Sequence, residues 1–390
     1  MYFGRNCLTN RHGNDLSDLT WAIAIALTMI DTLQASLFLT LSLRIAIRRK
    51  DNYQISRATL WLATHESTFG YKKQKYVASL LDSVKLDAPD QNQYLKGLGF
   101  LSLGISSYFL ANWGKAQKQC AIALEHFQRH CHGVGWEIST GQAFELWAMF
   151  FSGQIRDIEQ KYEELIDDAN YKQDILAKSN ITNFAGPHVW LARDRPSEAI
   201  VVIDNAMQFW PSDVFYVQHF TALAGRVQTL LYSGHIGEAF EAIETSWKRL
   251  RASLFLHVEA IRIFMWQLRG RCAASAFRNQ IKSKKSRGVA IRAARVLAKE
   301  KAPWARPMAD SINACIELSS QNLDKAKTSL EHATNGFREC NMQLYQAATA
   351  AKLCELIGDV QSERFCKTEA WFRSQNIVNA SAMTSLYYPV

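Results

Sequence analysis

The sequence predicts an all-α protein built as a solenoid of helical hairpins. Three observations predict this class. The chain has 390 residues, of which 48% are hydrophobic and 21% charged, a globular composition that excludes a disordered chain. Only seven prolines interrupt it, and the good helix formers Ala, Leu, Glu and Lys are abundant. Similar polar turns recur between apolar runs, as they do where successive helices pair in hairpins.

The first apolar segment is Trp21–Lys50, which follows a polar N-terminal tail predicted over 1–18. The tail lacks the apolar core of a signal peptide. Two alternatives stay open for the segment: a membrane anchor formed by 21–47, or a buried helix of a soluble bundle. We favour the buried helix, because Asp31 and Gln34 fall near the centre of the segment. Both alternatives leave the bulk of the chain in the cytoplasm.

Six polar turns of similar composition predict the hairpins. The turns are "ANWGKA" (111–116), "SGQIRD" (152–157), "RDRPSEA" (193–199), "SGHIGEA" (233–239), "SQNLDKA" (320–326) and "IGDVQSE" (357–363). Around four of them, small residues recur at spacings of 12 and 7 positions. Antiparallel helices approach closely only where side chains are small, so this tetratricopeptide-like spacing marks helix crossings. The predicted repeat-packing residues are Gly104, Ala116, Ala123, Ala199, Ala206, Ala239, Ala314, Ala326 and Ala333.

The hairpins are unevenly spaced, so the solenoid is irregular. One hairpin cannot bury its apolar face alone, and neighbouring hairpins must therefore stack. The sequence predicts a helical repeat block over 19–275, a basic linker and helix over 276–301, and a second helical repeat block over 302–390. The eleven tryptophans fall mostly among apolar residues at helical spacing, which predicts core packing between repeats.

A histidine-rich stretch, "EHFQRHCHGVGWE" (Glu125–Glu137), has two interpretations. It contains His126, His130, Cys131 and His132. The first interpretation is a metal site, and the second is a helix end, at which histidines favour the negative end of the helix dipole and Gly133 supplies the residue after the cap. We favour the helix end, because a structural zinc site takes four ligands and no second ligand pair is present. The sequence therefore predicts neither a metal nor a cofactor.

Positive charge is concentrated in one part of the chain. From Lys248 to Arg306 sixteen Lys and Arg face two acids, a net charge of +14 in a chain of +9, so the remainder is acidic. This segment could contact nucleic acid or an acidic partner. The alternative, which we favour, is a solvated linker followed by an ordinary amphipathic helix, since no aromatic residues interleave for base stacking. The candidate contact residues are Lys282, Lys284, Lys285, Arg287, Arg292, Arg295 and Lys299.

The motifs of common enzymes are missing from the sequence. It has no GxxxxGK[ST] phosphate loop, no GxSxG, no HExxH and no kinase catalytic loop. Its eight cysteines include no CxxC pair and lie mostly among apolar residues, as buried, reduced thiols of a cytosolic protein do. These observations predict a protein that is not an enzyme.

Four stretches, taken in order, resemble one family. They are "MIDTLQAS" (29–36), "CHGVGWEISTGQAFELWAMFFSGQI" (131–155), "KAPWARPMA" (301–309) and "EAWFRSQNIVNASAMTSLYYPV" (369–390). They resemble the C-terminal tetratricopeptide-like region of large bacterial serine/threonine protein kinases, in which a kinase domain and a STAND/AAA-type ATPase module precede the helices. The tail departs from the family at Asn376, Ala380 and Ala382, where the family has Gly, Pro and Arg.

The resemblance implies an interaction or sensor role and carries over no catalytic residue. Neither the kinase nor the ATPase lies within these residues. The resemblance therefore implies a non-catalytic module that works with a kinase or ATPase component in bacterial signalling. The alternative function is a nucleic-acid-associated regulator that uses the basic 278–301 segment. The sequence does not determine the oligomeric state or the identity of the partner.

Overall fold

The computed structural model describes residues 16–28, 31–85 and 92–389, and the predicted all-α class is confirmed. This part of the chain forms twenty α-helices and no strand. The helices are α1 (Leu16–Leu27), α2 (Thr32–Arg49), α3 (Asn52–Ser67), α4 (Gln74–Asp82), α5 (Gln93–Phe109), α6 (Trp113–His130), α7 (Gly135–Ser152), α8 (Ile155–Tyr171), α9 (Ile175–Asn183), α10 (Gly186–Ala192), α11 (Pro196–Met207), α12 (Val217–Tyr232), α13 (Ile236–Ala252), α14 (Glu259–Arg278), α15 (Ser283–Leu297), α16 (Ala305–Ser319), α17 (Leu323–Glu339), α18 (Gln343–Ile357), α19 (Glu363–Ser374) and α20 (Ala380–Tyr387).

The chain folds as two compact units. Unit 1 is Met1–Ala148, Phe215–Val217 and Ser253–Ala260, and unit 2 is Met149–Val214, Gln218–Ala252 and Ile261–Val390. These boundaries fall elsewhere than the predicted limits at 276 and 301. Most of the predicted N-terminal tail lies outside the described residues, and its last three residues, from Leu16, belong to α1.

The apolar segment Trp21–Lys50 forms two helices, not the single helix that the sequence predicted. Asp31 is the N-cap of the second helix, α2. Its carboxylate accepts hydrogen bonds from the N–H groups of Leu33 and Gln34 at 3.1 and 3.0 Å, which satisfies two free donors of the first turn. A polar residue at the centre of the apolar run therefore starts a new helix. Among the described helices, none combines the length and apolar character that crossing a bilayer requires.

All six predicted hairpin turns share one backbone geometry. One residue has a positive φ, and the N–H of the next donates to the carbonyl five positions before it, which is a Schellman motif. Five further turns of the described chain have the same geometry. The positive-φ residues are Lys50, Ala111, Gly153, Gln173, Asp194, Gly234, Gln280, Gln321, Asn341, Gly358 and Asn376. Most are not glycine, although a non-glycine residue in this conformation costs about 1–3 kcal/mol. Packing of the helices must offset that cost.

Unit 1 stacks its helices in chain order around aromatic and paired polar side chains. Helix α2 packs on α1 and α3, and α5 packs on α3 and α6. Trp61 lies between Trp21 and Trp136, with ring centroids 6.2 and 5.4 Å away. The buried Arg57 guanidinium pairs with the Asp18 carboxylate at 2.7 Å, so this interior charge is compensated.

Unit 2 contains an aromatic core and stacks α15, α16, α17 and α18 in sequence. The Phe151 ring is fully buried, and its centroid lies 6.1 Å from that of Phe184, 6.0 Å from Phe264 and 5.5 Å from Trp304. Large aromatic side chains supply much of the apolar area that stabilises a core. Phe151 and Phe264 lie on α7 and α14, whereas Phe184 and Trp304 lie at the end of α9 and just before α16, so the four rings join separate hairpins of the unit.

The segment 375–379 of unit 2 returns to helices near the start of the same unit. The N–H of Val378 donates to the Ala192 carbonyl at 2.8 Å, and Nδ2 of Asn376 donates to Oε2 of Glu159 at 2.9 Å. Unit 2 is therefore closed on itself by hydrogen bonds. The predicted solenoid did not include this closure, because repeat spacing carries no information about contacts between distant hairpins.

The small residues of the predicted crossings are buried, and one of them is in very close contact. A Cβ at Gly104 would lie 2.6 Å from Sγ of Cys120 and 3.4 Å from the carbonyl oxygen of Ala116 on the paired helix. In the hairpin of α16 and α17, Ala326 has no exposed surface. The other buried positions are Ala116, Ala123, Ala199, Ala206, Ala239, Ala314 and Ala333.

Ala326→Leu is expected to destabilise unit 2 by about 1–3 kcal/mol, because added methyl groups at a packed helix contact force the helices apart. Lys325→Leu is the matched control, since Lys325 is exposed on the same helix, and its effect is expected to stay within about 0.5 kcal/mol. Urea unfolding followed by circular dichroism measures both free energies. Equal, small losses at the two positions would show that the small-residue spacing does not mark a helix crossing.

Candidate functional site

An open groove in unit 2 is a candidate site. It lies on α17, α18 and α19, has a volume of about 680 Å³, and we call it the α17–α19 groove. A cleft of this size falls within the range that ligand sites occupy. Its lining residues are Thr334, Asn335, Arg338, Gln343, Gln346, Ala347, Ala350, Glu363, Arg364, Lys367, Thr368 and Trp371.

Helical periodicity aligns these side chains. Gln343, Gln346, Ala347 and Ala350 follow the i, i+3, i+4, i+7 pattern and so share one face of α18. The side chains of the two alanines are small and leave the space between α17 and α19 unfilled, so they form the floor of the groove. On the third helix, the Ser362 hydroxyl caps the N-terminus by accepting from the Phe365 N–H at 3.2 Å, which fixes where α19 begins.

The rim of the groove is basic. Arg338, Arg364 and Lys367 face one acid, Glu363, which pairs with Lys367 at 2.6 Å. Nη2 of Arg338 donates to the Asn335 amide oxygen at 2.9 Å. Both contacts are exposed and therefore weak, so a ligand can replace them at little cost. The rim offers excess positive charge to an incoming anionic group.

Trp371 gives the groove an aromatic side. Its Nε1 donates to the Gln343 side-chain oxygen at 3.2 Å, which holds the ring across the space between α18 and α19. The ring is partly exposed, as an aromatic anchor for a ligand must be. Tryptophan and arginine dominate the energetics of many protein interfaces. The α17–α19 groove therefore combines the two residue types on one surface.

A second, smaller groove of about 400 Å³ lies on α16 and α17, where Asn335 also contributes to its lining. Its residues include His332 and Cys340, a pair of types that can act in nucleophilic catalysis. Burial raises the pKa of Cys340 to about 11, so this group is a protonated thiol at neutral pH and a poor nucleophile.

The structure places the basic segment on a helix surface. Lys284, Lys285 and Arg287 lie within α15, which begins at Ser283, so the prediction of a linker over these residues is wrong. The reason is an amphipathic pattern: Ser286, Ala290, Ala293 and Leu297 are buried, while Lys282, Lys284, Lys285, Arg287, Arg292, Arg295 and Lys299 are exposed.

Three of these seven basic side chains already make contacts within unit 2. Lys285 pairs with the Glu244 carboxylate at 3.1 Å. The guanidinium of Arg287 lies 5.9 Å from the Phe277 ring centroid, and that of Arg292 lies 6.0 Å from the Trp266 centroid. Such cation–π contacts stabilise the fold by about 0.5–1 kcal/mol at exposed sites. Part of the basic surface is therefore already engaged in contacts within unit 2.

The histidine-rich stretch is a helix end, as predicted, although its details differ. Helix α6 ends at His130, and its C-cap is Cys131. The cap is one residue earlier than predicted, since the sequence predicted Gly133 directly after it. His126 Nε2 donates to the Gln93 carbonyl at 2.9 Å, and burial lowers the pKa of His126, so the ring is neutral and gains little from the helix dipole. Within 16–28, 31–85 and 92–389, no cluster of three or more His, Cys, Asp or Glu could hold a metal ion.

Several tryptophans are buried, as the prediction of core packing between repeats requires. Trp113, Trp147 and Trp266 are 2, 8 and 9% exposed, whereas Trp190 is partly exposed beneath the guanidinium of Arg193 at 5.5 Å. Cys7 lies outside the described residues. The seven other cysteines are free thiols, and only one of them is exposed.

Sequence reasoning did not identify the α17–α19 groove. The available signal was a basic and aromatic stripe on α19, where Arg364, Lys367 and Trp371 follow a helical spacing. Its partners on α17 and α18 are far away in sequence, so only the packed hairpins bring them together. A search of known protein families and of curated proteins finds no match to this chain.

Proposed function

We propose that this chain is a non-catalytic helical-repeat module that binds a protein partner through the α17–α19 groove. The observation that carries the proposal is the groove itself, an open cleft of about 680 Å³ with a low floor and a basic rim. Helical-repeat proteins use such concave surfaces to hold segments of their partners. No activated nucleophile lines this groove, so binding is the function that its geometry supports best.

The chemistry of the groove favours an acidic segment with one apolar anchor. Arg338 and Arg364 would meet carboxylates, and Trp371 would cover an apolar side chain. The glutamine and asparagine side chains along the floor can bond the backbone of an extended segment. Electrostatic complementarity of this kind sets specificity and association rate more than total affinity.

We further propose that the partner is a kinase or STAND ATPase component of a bacterial signalling pathway, in the cytoplasm. The support is the family resemblance of the four stretches described above. One structural detail agrees with it. Asn376, which stands where the family has glycine, has a φ of 57°, a conformation that glycine adopts freely and asparagine tolerates best among other residues.

Site-specific crosslinking in native cells tests the proposal. A photoreactive residue placed at Gln346 in the groove is expected to capture a kinase or ATPase polypeptide, whereas one at the exposed Lys325 outside the groove is not. The captured protein and its acidic segment should then bind the purified chain. Arg364→Glu is expected to weaken that binding at least tenfold, and Arg156→Glu on α8 to leave it unchanged. Capture of equal amounts at both positions, or of no signalling component, refutes the proposal.

The alternative of a nucleic-acid regulator has weaker support. The exposed basic face of α15 favours it, but Lys285, Arg287 and Arg292 have contacts within the fold. Phosphate binding makes affinity fall with salt by about 0.9 in log–log slope per neutralised phosphate. Duplex DNA binding measured against salt, in wild type and in a variant with Lys282, Lys284, Lys285 and Arg287 changed to Gln, separates the two functions. Tight binding at physiological salt that the variant loses would favour nucleic acid.

A further inference from the structure

A buried arginine without a counter-charge lies inside unit 2. The Arg271 side chain is 1% exposed, and none of its three nitrogens has a hydrogen-bond partner among the described residues. Its guanidinium carbon lies 4.9 Å from the centroid of the Tyr387 ring, a contact that stabilises a cation only partly. Arginine stays charged at any pH that proteins experience, so this charge cannot be removed by loss of a proton.

Among the described residues of unit 2, no acid pairs with Arg271. Two neighbouring arginines of the same helix do have acids: Arg262 pairs with Glu300 at 2.7 Å, and Arg269 pairs with Glu244 at 2.6 Å. Arg271 has no equivalent. An unpaired buried charge costs several kcal/mol or more, which is a large fraction of the stability of a typical fold. The interior of unit 2 therefore requires an anion that the described residues do not supply.

Other buried polar groups near Arg271 also have no hydrogen-bond partners among the described residues. The hydroxyls of Tyr345 and Tyr387, and both side-chain polar atoms of Gln267 one helical turn before Arg271, make no hydrogen bond within the described chain. These groups come from α14, α18 and α20, and the Tyr345 and Tyr387 rings lie beside the Arg271 guanidinium. Buried polar atoms in native proteins are nearly always bonded, and a cluster of exceptions indicates a bound group.

From this cluster we infer that unit 2 encloses a small oxyanion, a carboxylate or a phosphoryl group, bound by Arg271. The planar guanidinium pairs with two oxygens of either group. The Gln267 amide and the two tyrosine hydroxyls would bond the remaining oxygens. The Tyr345 ring contacts the Tyr387 ring edge to face, with centroids 4.6 Å apart, so both tyrosines belong to the packed cluster around Arg271. Because the cluster is sealed from solvent, the anion enters and leaves only when the unit opens, and it remains bound during purification.

Release of the anion on unfolding tests the inference. Wild-type protein is exchanged into Tris chloride free of phosphate and carboxylates, unfolded in urea and filtered, and the filtrate is analysed by ion chromatography with mass spectrometry. We expect about one small oxyanion per chain, with little released before unfolding, and its identity distinguishes phosphate from a carboxylate. Refolding in phosphate or in acetate should restore occupancy only when the added anion is of the same class as the one released.

Variants assign the anion to Arg271. Arg271→Met is expected to release less than a tenth of the wild-type amount, and Tyr387→Phe, which removes only a hydroxyl, is expected to reduce occupancy. The exposed Arg292→Met is the control and should release the wild-type amount. Wild-type protein that releases no oxyanion, or chloride alone, overturns the inference even if Arg271→Met fails to fold. Equal release from wild type and Arg271→Met also overturns it.

Discussion

Phe151→Ala is expected to destabilise unit 2 by about 3–5 kcal/mol, because removing a buried aromatic ring loses its transfer free energy and leaves a cavity. The ring contacts Phe184, Phe264 and Trp304, which are far apart in sequence, so the core cannot collapse around the gap without moving several hairpins. Urea unfolding followed by far-ultraviolet circular dichroism measures the loss.

An exposed phenylalanine of the same unit provides the control. Phe209 is 60% exposed, and Phe209→Ala is expected to change the free energy of unfolding by about 0.5 kcal/mol or less. A loss of under about 1 kcal/mol for Phe151→Ala would contradict the assignment of this ring to the centre of the core.

Acidification below about pH 6.5 is expected to destabilise unit 2 through His188. Burial, together with the positive charge of Arg271, lowers the pKa of His188 to about 3 from the ordinary value of 6.5. The unfolded chain therefore binds a proton as the pH falls through 6.5, whereas the folded chain stays unprotonated down to about 3. Unfolding becomes more favourable across that interval, by about 1.4 kcal/mol per pH unit at most.

Comparison of variants isolates this contribution from the carboxylates that titrate in the same range. Between pH 6.5 and 5, the free energy of unfolding of His188→Gln should fall by about 2 kcal/mol less than that of wild type. His235 is exposed, and His235→Gln should keep the wild-type slope of unfolding free energy against pH. An anion bound to Arg271 offsets part of the positive charge, so the slope should be shallower with the anion bound than without it. Identical slopes in wild type and His188→Gln would contradict this account.

The hairpins could be predicted from the sequence because their signals are local. Turns with a glycine, a proline or a run of small polar residues were found, including those at Gly153, Gly234 and Gly358. Turns with the same geometry at Lys50, Gln173 and Gln280 were missed, because these residues rarely adopt a positive φ. Their conformation is imposed by the packing of the helices on either side.

The functional surfaces could not be predicted, because they are properties of packing between distant hairpins. Arg338 and Trp371 line one groove but belong to different helices, and each looks like an ordinary surface residue in the sequence. Arg271 likewise looks like one of many basic residues in a positively charged segment. Only its burial, without an acid nearby, distinguishes it from Arg269 two positions earlier.

The hydrogen bonds that close unit 2 also set the order in which it can be completed. Glu159 leaves the ribosome 217 residues before Asn376, the residue that donates to it. At translation speeds of about 5–20 residues per second, the interval is on the order of 10–40 s. During that time α8 and α10 expose acceptors whose hydrogen-bond donors, Asn376 and Val378, have not yet been synthesised. Final assembly of this unit therefore waits until the segment 375–379 has been made, and a nascent chain stalled before that segment presents these acceptors to chaperones and proteases.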